Sequence, residues 1–116
     1  MNIMTFNTQH CLNFTERKID FQIMADTISH CHADIVGLNE IRGAGEHPEH
    51  QSQTEILSTL TNMPYWYFAK AIDVGGRNPY GNALLSRYPI AQAETIIIPD
   101  PEPKRPGSQY ETRCIL

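Results

Sequence analysis

Apolar and polar positions alternate along the chain with the periods that are typical of strands and helices. The run NIMTFN predicts a first strand over about residues 2–7, and the more continuously apolar run ADIVGLNEI predicts a second over 33–41. Between them, Ile19, Ile23, Ile28 and Cys31 recur at helical spacing, which predicts an amphipathic helix over 17–32. The order strand, helix, strand predicts two parallel strands joined by a right-handed crossover.

The second half of the chain predicts one more helix and several strands. An apolar stripe of Ile56, Leu57, Leu60 and Met63 predicts a helix over 49–63, with Pro48 suited to its first turn. Strands are predicted for YWYFAKAID (65–73), NALLSR (82–87), QAETIII (92–98) and YETRCIL (110–116), the middle two as an antiparallel pair around the RYPI turn. The runs VGGRNPYG and PDPEPKRPGSQ are rich in glycine, asparagine and proline and predict loops.

These elements predict a mixed α/β (α+β) fold in a single domain. The chain stops inside its last predicted strand, near residues 110–116, and a domain rarely ends there. We therefore expect the domain of residues 1–116 to be either truncated or completed by a partner.

Composition and charge narrow the class of protein. The chain is 41% hydrophobic and 19% charged, which is typical of a soluble globular domain, and no apolar run is long enough to span a membrane. A net charge of −4 argues against a surface that holds nucleic acid by phosphate contacts alone. Three widely spaced cysteines and an N-terminus unlike a signal peptide make a cytoplasmic location the default expectation.

Polar side chains end the two strands that are predicted to be parallel. Asn7 ends the first strand and Glu40 ends the second, and ligands gather at the carboxyl ends of parallel strands. Strand alternation places Glu40 on the face of Val36 and Leu38. A carboxylate there needs a cation or hydrogen-bond donors, which predicts a Mg²⁺ ligand. The alternatives are a solvated strand-end acid and a carboxylate that pairs with Arg42 or with a nearby helix.

Four segments together carry a family resemblance. MTFNTQH, ADIVGLNEIRG, YGNALLSRYPI and YETRCIL resemble, in order and spacing, the endonuclease/exonuclease/phosphatase superfamily of Mg²⁺-dependent phosphoesterases. The resemblance implies the N-terminal half of a four-layer α/β/β/α sandwich. It also implies metal-dependent hydrolysis of phosphoester bonds by the intact domain, with Mg²⁺ or Mn²⁺ as cofactor and a nucleic acid, lipid headgroup or sugar phosphate as substrate.

The resemblance also implies roles for single residues. Glu40 matches the family's metal-binding glutamate, and Asn7 matches the asparagine beside the metal and the scissile phosphate, so both are candidate catalytic and metal-site residues. Asn39 stands where the family usually has glutamine. By similarity to pancreatic-type deoxyribonucleases, the candidate substrate contacts are Arg42, Arg77 and Tyr80, for which a surface arginine and ordinary turn chemistry are the alternative. Arg113 either faces the substrate phosphate or pairs with Glu111 or Glu40.

Several family motifs have no match in the chain. The resemblance implies a later strand that bears a histidine, an Asp-x-Asn motif and an Asp-His pair, whereas every histidine here lies in the first half, at His10, His30, His32, His47 and His50. We expect His30 and His32 to lie at a helix end, and His47 and His50 at the surface, rather than to be zinc ligands. We also expect the chain alone to be inactive. The alternative class is a non-catalytic binding or scaffold module built on the same sandwich.

Overall fold

The computed structural model describes residues 1–107 and 111–116. Its strands are β1 (Ile3–Asn7), β2 (Leu12–Asn13), β3 (Lys18–Ile19), β4 (Ile35–Arg42), β5 (Tyr65–Asp73), β6 (Pro79–Ser86), β7 (Ile96–Ile98) and β8 (Arg113–Ile115). Its α-helices are α1 (Phe21–His30) and α2 (Gln53–Thr61), and one tight turn (Gln9–Cys11) follows β1. The mixed α/β class predicted from the sequence is confirmed.

A four-stranded sheet organises the described residues. Its strand order is β1-β4-β6-β5, with β1 parallel to β4 and with β6 antiparallel to both of its neighbours. The predicted parallel pair is therefore confirmed, and Asn7 lies directly opposite Asn39 in the register. The carboxyl ends of β1 and β4 consequently meet at one edge of the sheet.

The hydrophobic core lies between one face of this sheet and the two helices. Ile28 of α1 and Leu57 of α2 pack against Val36, Leu38 and Leu85, and all five side chains are almost completely buried. Burying such side chains contributes about 1.5–3 kcal/mol each to folding. The core thereby fixes the strands whose ends carry the polar residues.

Strand β8 lies against the opposite face of the sheet. The side-chain amide of Asn82 donates to the main-chain oxygen of Cys114 at 2.9 Å, and the thiol of Cys114 donates to the oxygen of Ala69 at 3.3 Å. Strand β8 pairs in antiparallel fashion with β7. The prediction that 92–98 would pair with 82–87 is therefore wrong, because the central sheet already flanks β6 on both sides.

Several predicted boundaries also differ from the structure. Helix α1 begins at Phe21 rather than near residue 17, because the side chain of Asp20 accepts from the main-chain nitrogen of Ile23 and caps the helix. Helix α2 begins at Gln53, after the turn that contains Pro48. Strand β6 begins at Pro79, inside the predicted loop. Residues 108–110, which include the end of the predicted loop 99–109 and the first residue of the last predicted strand, lie outside the described residues.

Candidate active site

A β-bulge at the end of β4 sets the direction of the Glu40 side chain. Leu38 pairs with Ala83 and Ile41 pairs with Gly81, so two residues of β4 stand opposite a single residue of β6. Glu40 itself has a left-handed φ of 56°. Bulges of this kind re-aim side chains, and left-handed backbone at a non-glycine residue costs free energy that neighbouring structure must offset.

The bulge overturns the face predicted for Glu40. Strict alternation would place Glu40 with Val36 and Leu38, but the buried residue that continues their face is Ile41, which has 0% exposure. The extra residue shifts the alternation by one position. Glu40 therefore lies toward the polar end of β1 instead of the helix-covered core.

Asn7 contacts Glu40 directly. Its side-chain nitrogen donates to Oε1 of Glu40 at 2.9 Å, while its side-chain oxygen accepts from the main-chain nitrogen of Gln9 at 3.0 Å. The second contact fixes which end of the amide faces the carboxylate. Asn7 and Glu40, which the sequence predicts at neighbouring strand ends, are thus brought together.

Thr8 ties the bulge to β1. Its hydroxyl lies 3.1 Å from the main-chain oxygen of Asn39 and 3.0 Å from that of Glu40, and its main-chain nitrogen donates to Asn39 at 3.0 Å. Thr8 is 1% exposed, so these contacts are shielded from water. They offset part of the cost of the left-handed residue.

The turn that follows Thr8 is left-handed throughout. Gln9, His10 and Cys11 have φ angles of 47°, 47° and 61°, and this conformation costs roughly 1–2 kcal/mol for each residue with a side chain. We call Gln9–Cys11 the left-handed turn. Strained backbone of this kind concentrates at functional sites, which is consistent with its position beside Asn7.

Gln53 joins the left-handed turn to the end of β4. Its side-chain nitrogen donates to the main-chain oxygen of His10 at 2.9 Å, and its side-chain oxygen accepts from the main-chain nitrogen of Arg42 at 2.9 Å. Gln53 is 0% exposed. It therefore satisfies two main-chain groups of the site from the first residue of α2.

A cavity of about 290 Å³ opens above the Asn7 and Glu40 pair. Its lining includes Tyr80, Asn82, Glu111 and Arg113. The Tyr80 hydroxyl lies 3.5 Å from Oε2 of Glu40, and burial, together with the charges of Glu40 and Glu111, raises the pKa of Tyr80 to about 12. Tyr80 therefore keeps its proton at neutral pH and can donate a hydrogen bond into the cavity.

Polar side chains at the base of the cavity connect the four-stranded sheet to β8. Asn39 donates to Oδ1 of Asn82 at 3.3 Å, and Asn82 in turn donates to Cys114. The neighbour of Asn82 is Gly81, where a Cβ atom would collide with the main-chain oxygen of Ala69. Only glycine allows strands β5 and β6 to approach this closely beside the site.

The residues predicted to contact the substrate do not all line this cavity. Arg113 lines it and pairs with Glu111 at 3.3 Å, which is one of the partners predicted for it. Arg42 lies in an adjacent cavity, which Tyr80 also lines. Arg77 does not line the cavity: it pairs with Glu46 at 3.4 Å, and its side chain is 88% exposed.

The donor set fits a hard divalent cation of the Mg²⁺ type. Within residues 1–107 and 111–116 there is no group of three or more His, Cys, Asp or Glu side chains that could hold a metal. Zinc sites need such a group, whereas Mg²⁺ is held by one or two carboxylates and keeps several waters. Among residues 1–107 and 111–116, the donor to Oε2 of Glu40 is the Tyr80 hydroxyl at 3.5 Å, which leaves this carboxylate oxygen further acceptor capacity for such an ion.

Sequence reasoning missed the residues that position the site. Thr8, His10, His50 and Gln53 all lie at or beside it. For Gln53 a signal existed, because it stands four residues before Leu57, on the stripe that packs into the core. A glutamine on an apolar stripe indicates a buried polar group with definite partners.

The site described so far defines a class of protein: an α/β protein with a carboxylate and an amide at the carboxyl ends of two parallel strands. A model of the endonuclease/exonuclease/phosphatase family matches residues 4–112. The chain belongs to this family, whose members are in general hydrolases of phosphoester bonds.

Curated relatives are longer than the chain. The uncharacterized protein YbhP of Escherichia coli strain K12 is 32% identical over 99 residues, covering 79% of this chain and 38% of YbhP. YbhP of Shigella flexneri matches to the same extent. The chain thus spans less than half the length of these relatives.

Solved structures share the fold. An endonuclease/exonuclease/phosphatase from Beutenbergia cavernae superposes with a TM-score of 0.73 at 22% identity, covering 85% of this chain and 28% of that one. A family protein from Leptotrichia buccalis gives a TM-score of 0.60 at 18% identity, covering 84% and 42%. The predicted fold class is therefore confirmed by these structures as well. In the described part of the chain, no helix is both long and apolar enough to cross a membrane.

Proposed function

We propose that this chain supplies the metal-binding glutamate of a Mg²⁺- or Mn²⁺-dependent phosphoesterase. The observation that carries the proposal is the Glu40 carboxylate, which a strained bulge directs into the cavity and which Asn7 holds at 2.9 Å. A solvated strand-end acid would need neither the bulge nor the buried hydroxyl of Thr8.

The charges around the cavity support a bound cation. Among the described residues, the carboxylates of Glu40 and Glu111 and the guanidinium of Arg113 line it, so its fixed charges are negative in sum and repel a phosphate. A divalent ion at Glu40 would reverse that balance, because a bound ion is the largest local charge in such a site. When bound, the ion would polarise the phosphoester and stabilise the leaving oxygen.

The chain's own side chains would position the phosphate. Nδ2 of Asn7 carries two hydrogens and uses one of them toward Glu40, so the second can donate to a phosphate oxygen. Tyr80 offers its hydroxyl proton from the opposite strand, and Arg113 offers a guanidinium at the rim. Donors arranged in advance of binding stabilise charge that develops during hydrolysis. In this proposal, the residue that activates the attacking water comes from outside residues 1–116.

The proposal is tested by metal-dependent hydrolysis of bis-p-nitrophenyl phosphate, using the chain and any longer form that its gene encodes. We expect the longer form to hydrolyse the diester only with Mg²⁺ or Mn²⁺, and Glu40→Gln to remove most of that activity. Glu94→Gln is the matched control, since Glu94 is exposed and does not line the cavity. Full activity in Glu40→Gln would contradict the metal role. Inactivity of every form with every diester would favour a binding or scaffold module.

A further inference from the structure

A second cavity, of about 260 Å³, adjoins the candidate active site. Three side chains with cationic or ionisable nitrogen atoms line it: His10, Arg42 and His50. His10 comes from the left-handed turn, Arg42 from the end of β4, and His50 from the segment before α2. The volume exceeds the roughly 30 Å³ that one water occupies in the liquid, so a phosphate group fits with water beside it.

Two nitrogen atoms of these side chains have no hydrogen-bond partner within the described part of the chain, residues 1–107 and 111–116. Nη1 of Arg42 and Nδ1 of His50 are both buried and unpaired. Buried polar atoms are paired in the great majority of cases, because each unpaired group costs about 1–3 kcal/mol. Because a guanidinium only donates, the unpaired nitrogen of Arg42 indicates a place for a ligand that accepts hydrogen bonds, and His50 lines the same cavity.

The nearby carboxylates do not meet that need. Oε2 of Glu49 lies 3.7 Å from Nη1 of Arg42, which is too far for a hydrogen bond, and the Glu49 side chain is 68% exposed. Exposed ion pairs of this kind contribute little. Glu111 also lines the cavity, but its carboxylate pairs with Arg113 at 3.3 Å.

Hydrogen bonds and the backbone conformation keep these side chains close to one another. Gln53 fixes the main chain of both His10 and Arg42, and the left-handed turn keeps His10 near Tyr80, with ring centroids 6.4 Å apart. Burial first, and then the Arg42 guanidinium, lower the pKa of His10 and of His50, so the protonated form of both imidazoles is disfavoured in the free protein. An anion between them would favour the protonated form, in which both ring nitrogens donate hydrogen bonds.

We propose that His10, Arg42 and His50 form a pocket for a second phosphate group of the substrate. Tyr80 and Glu111 line both cavities, so one ligand can reach from Glu40 into this pocket. The assignment of the phosphate to a substrate rests on the proposed function, whereas binding of phosphate to the pocket does not. The substrate class is then a phosphoester that carries another phosphate next to the bond to be cleaved.

Phosphate binding is tested first without metal. Inorganic phosphate is titrated into the protein in EDTA while the imidazole resonances of all five histidines are followed by NMR. We expect His10 and His50 to shift with a common saturation curve. Arg42→Gln should weaken binding at least about tenfold, because hydrogen bonds to charged groups are the strong ones. His30→Gln, at the exposed end of α1, should leave binding unchanged.

The variant Glu49→Gln distinguishes a pocket that binds phosphate from a group of residues with only a structural role. Removing the exposed carboxylate near Arg42 should tighten phosphate binding. The pocket assignment is overturned if phosphate leaves both resonances unmoved, if Arg42→Gln binds as wild type does, or if Glu49→Gln fails to tighten binding. Circular dichroism shows whether each variant is folded. If Arg42→Gln is unfolded, the same titration is carried out with His50→Gln.

The source of the phosphate is tested with two ligands that differ by one group. Thymidine dinucleotide with a 5′-phosphate and the same dinucleotide without it are compared in the metal-free protein. We expect only the first to shift His10 and His50. If inorganic phosphate shifts them but the two dinucleotides do not differ, the pocket binds free phosphate and the substrate assignment is wrong. These measurements contain no metal, so they would give the same results even if Glu40 does not bind a metal.

Discussion

The buried side chain of Gln53 donates a 2.9 Å hydrogen bond to the main-chain oxygen of His10. The same side chain accepts from Arg42, so one glutamine satisfies main-chain groups on two segments of the site. Replacement of Gln53 by leucine should lower the free energy of unfolding by about 2–4 kcal/mol, since both groups would be buried without partners. Urea denaturation of the two proteins measures the difference.

Two further variants show whether the hydrogen bonds of Gln53 are responsible. Gln53→Glu keeps the acceptor for Arg42 and, while its carboxyl group is protonated, an O–H donor for His10, so we expect a smaller loss of stability than for leucine at a pH where the carboxyl group is protonated. Gln51→Leu changes an exposed glutamine nearby and should have little effect. Equal stabilities of wild type and Gln53→Leu would mean that these contacts contribute nothing measurable.

Thr8 should stabilise the Glu40 bulge through its hydroxyl. Thr8→Val keeps the shape of the side chain but removes the contacts to the oxygens of Asn39 and Glu40, which should cost about 1–2 kcal/mol in unfolding free energy. Thr8→Ser retains the hydroxyl and should lose less. A valine variant more stable than the serine variant would contradict the role given to the hydroxyl.

The three cysteines should differ strongly in reactivity. Burial raises the pKa of the Cys11 thiol to about 12, and Cys114 is 5% exposed, whereas Cys31 is exposed. Because the thiolate is the reactive form, Ellman's reagent at mildly alkaline pH should label one thiol rapidly in the native protein. Cys31→Ser should abolish the rapid phase. A rapid phase that survives this change would mean that the site around Cys11 or Cys114 opens readily.

His50 should make the folded state less stable in acid. Burial first, and then Arg42 and His47, lower its pKa from 6.5, although the Pro79 carbonyl and Glu49 act in the opposite direction. Above pH 6.5 the imidazole is neutral in both states, and below it the unfolded chain takes up the proton first, so stability falls as the pH falls. Unfolding free energies near neutral pH and about two units lower should therefore differ less in His50→Gln than in wild type. Equal differences would show that His50 does not contribute.

Part of this arrangement could be predicted from the sequence. Helical and strand periods placed β1, α1 and β4 in order, and the crossover rule made β1 and β4 parallel, so Asn7 and Glu40 were expected at one edge. The face of Glu40 could not be predicted, because a bulge depends on the register with β6 and alternation assumes that register is unbroken. The partner of β7 likewise depends on which edges of β6 are already occupied.

The hydrogen bonds that position the side chains of the site could not be predicted from the sequence. Gln53 lies 43 residues from His10 and 11 from Arg42, and no local pattern links such separations. His50 was expected at the surface for the same reason, since the cavity that it lines with His10 exists only once the left-handed turn and the end of β4 are in place.

Direct measurement of Mn²⁺ binding tests the central claim about Glu40. Electron paramagnetic resonance counts free Mn²⁺ as it is titrated into wild type, Glu40→Gln and the control Glu94→Gln. The proposed site predicts one Mn²⁺ bound by wild type and by Glu94→Gln, and an affinity lower by about tenfold or more in Glu40→Gln. If Glu40→Gln binds Mn²⁺ as tightly as wild type, Glu40 is not the metal ligand.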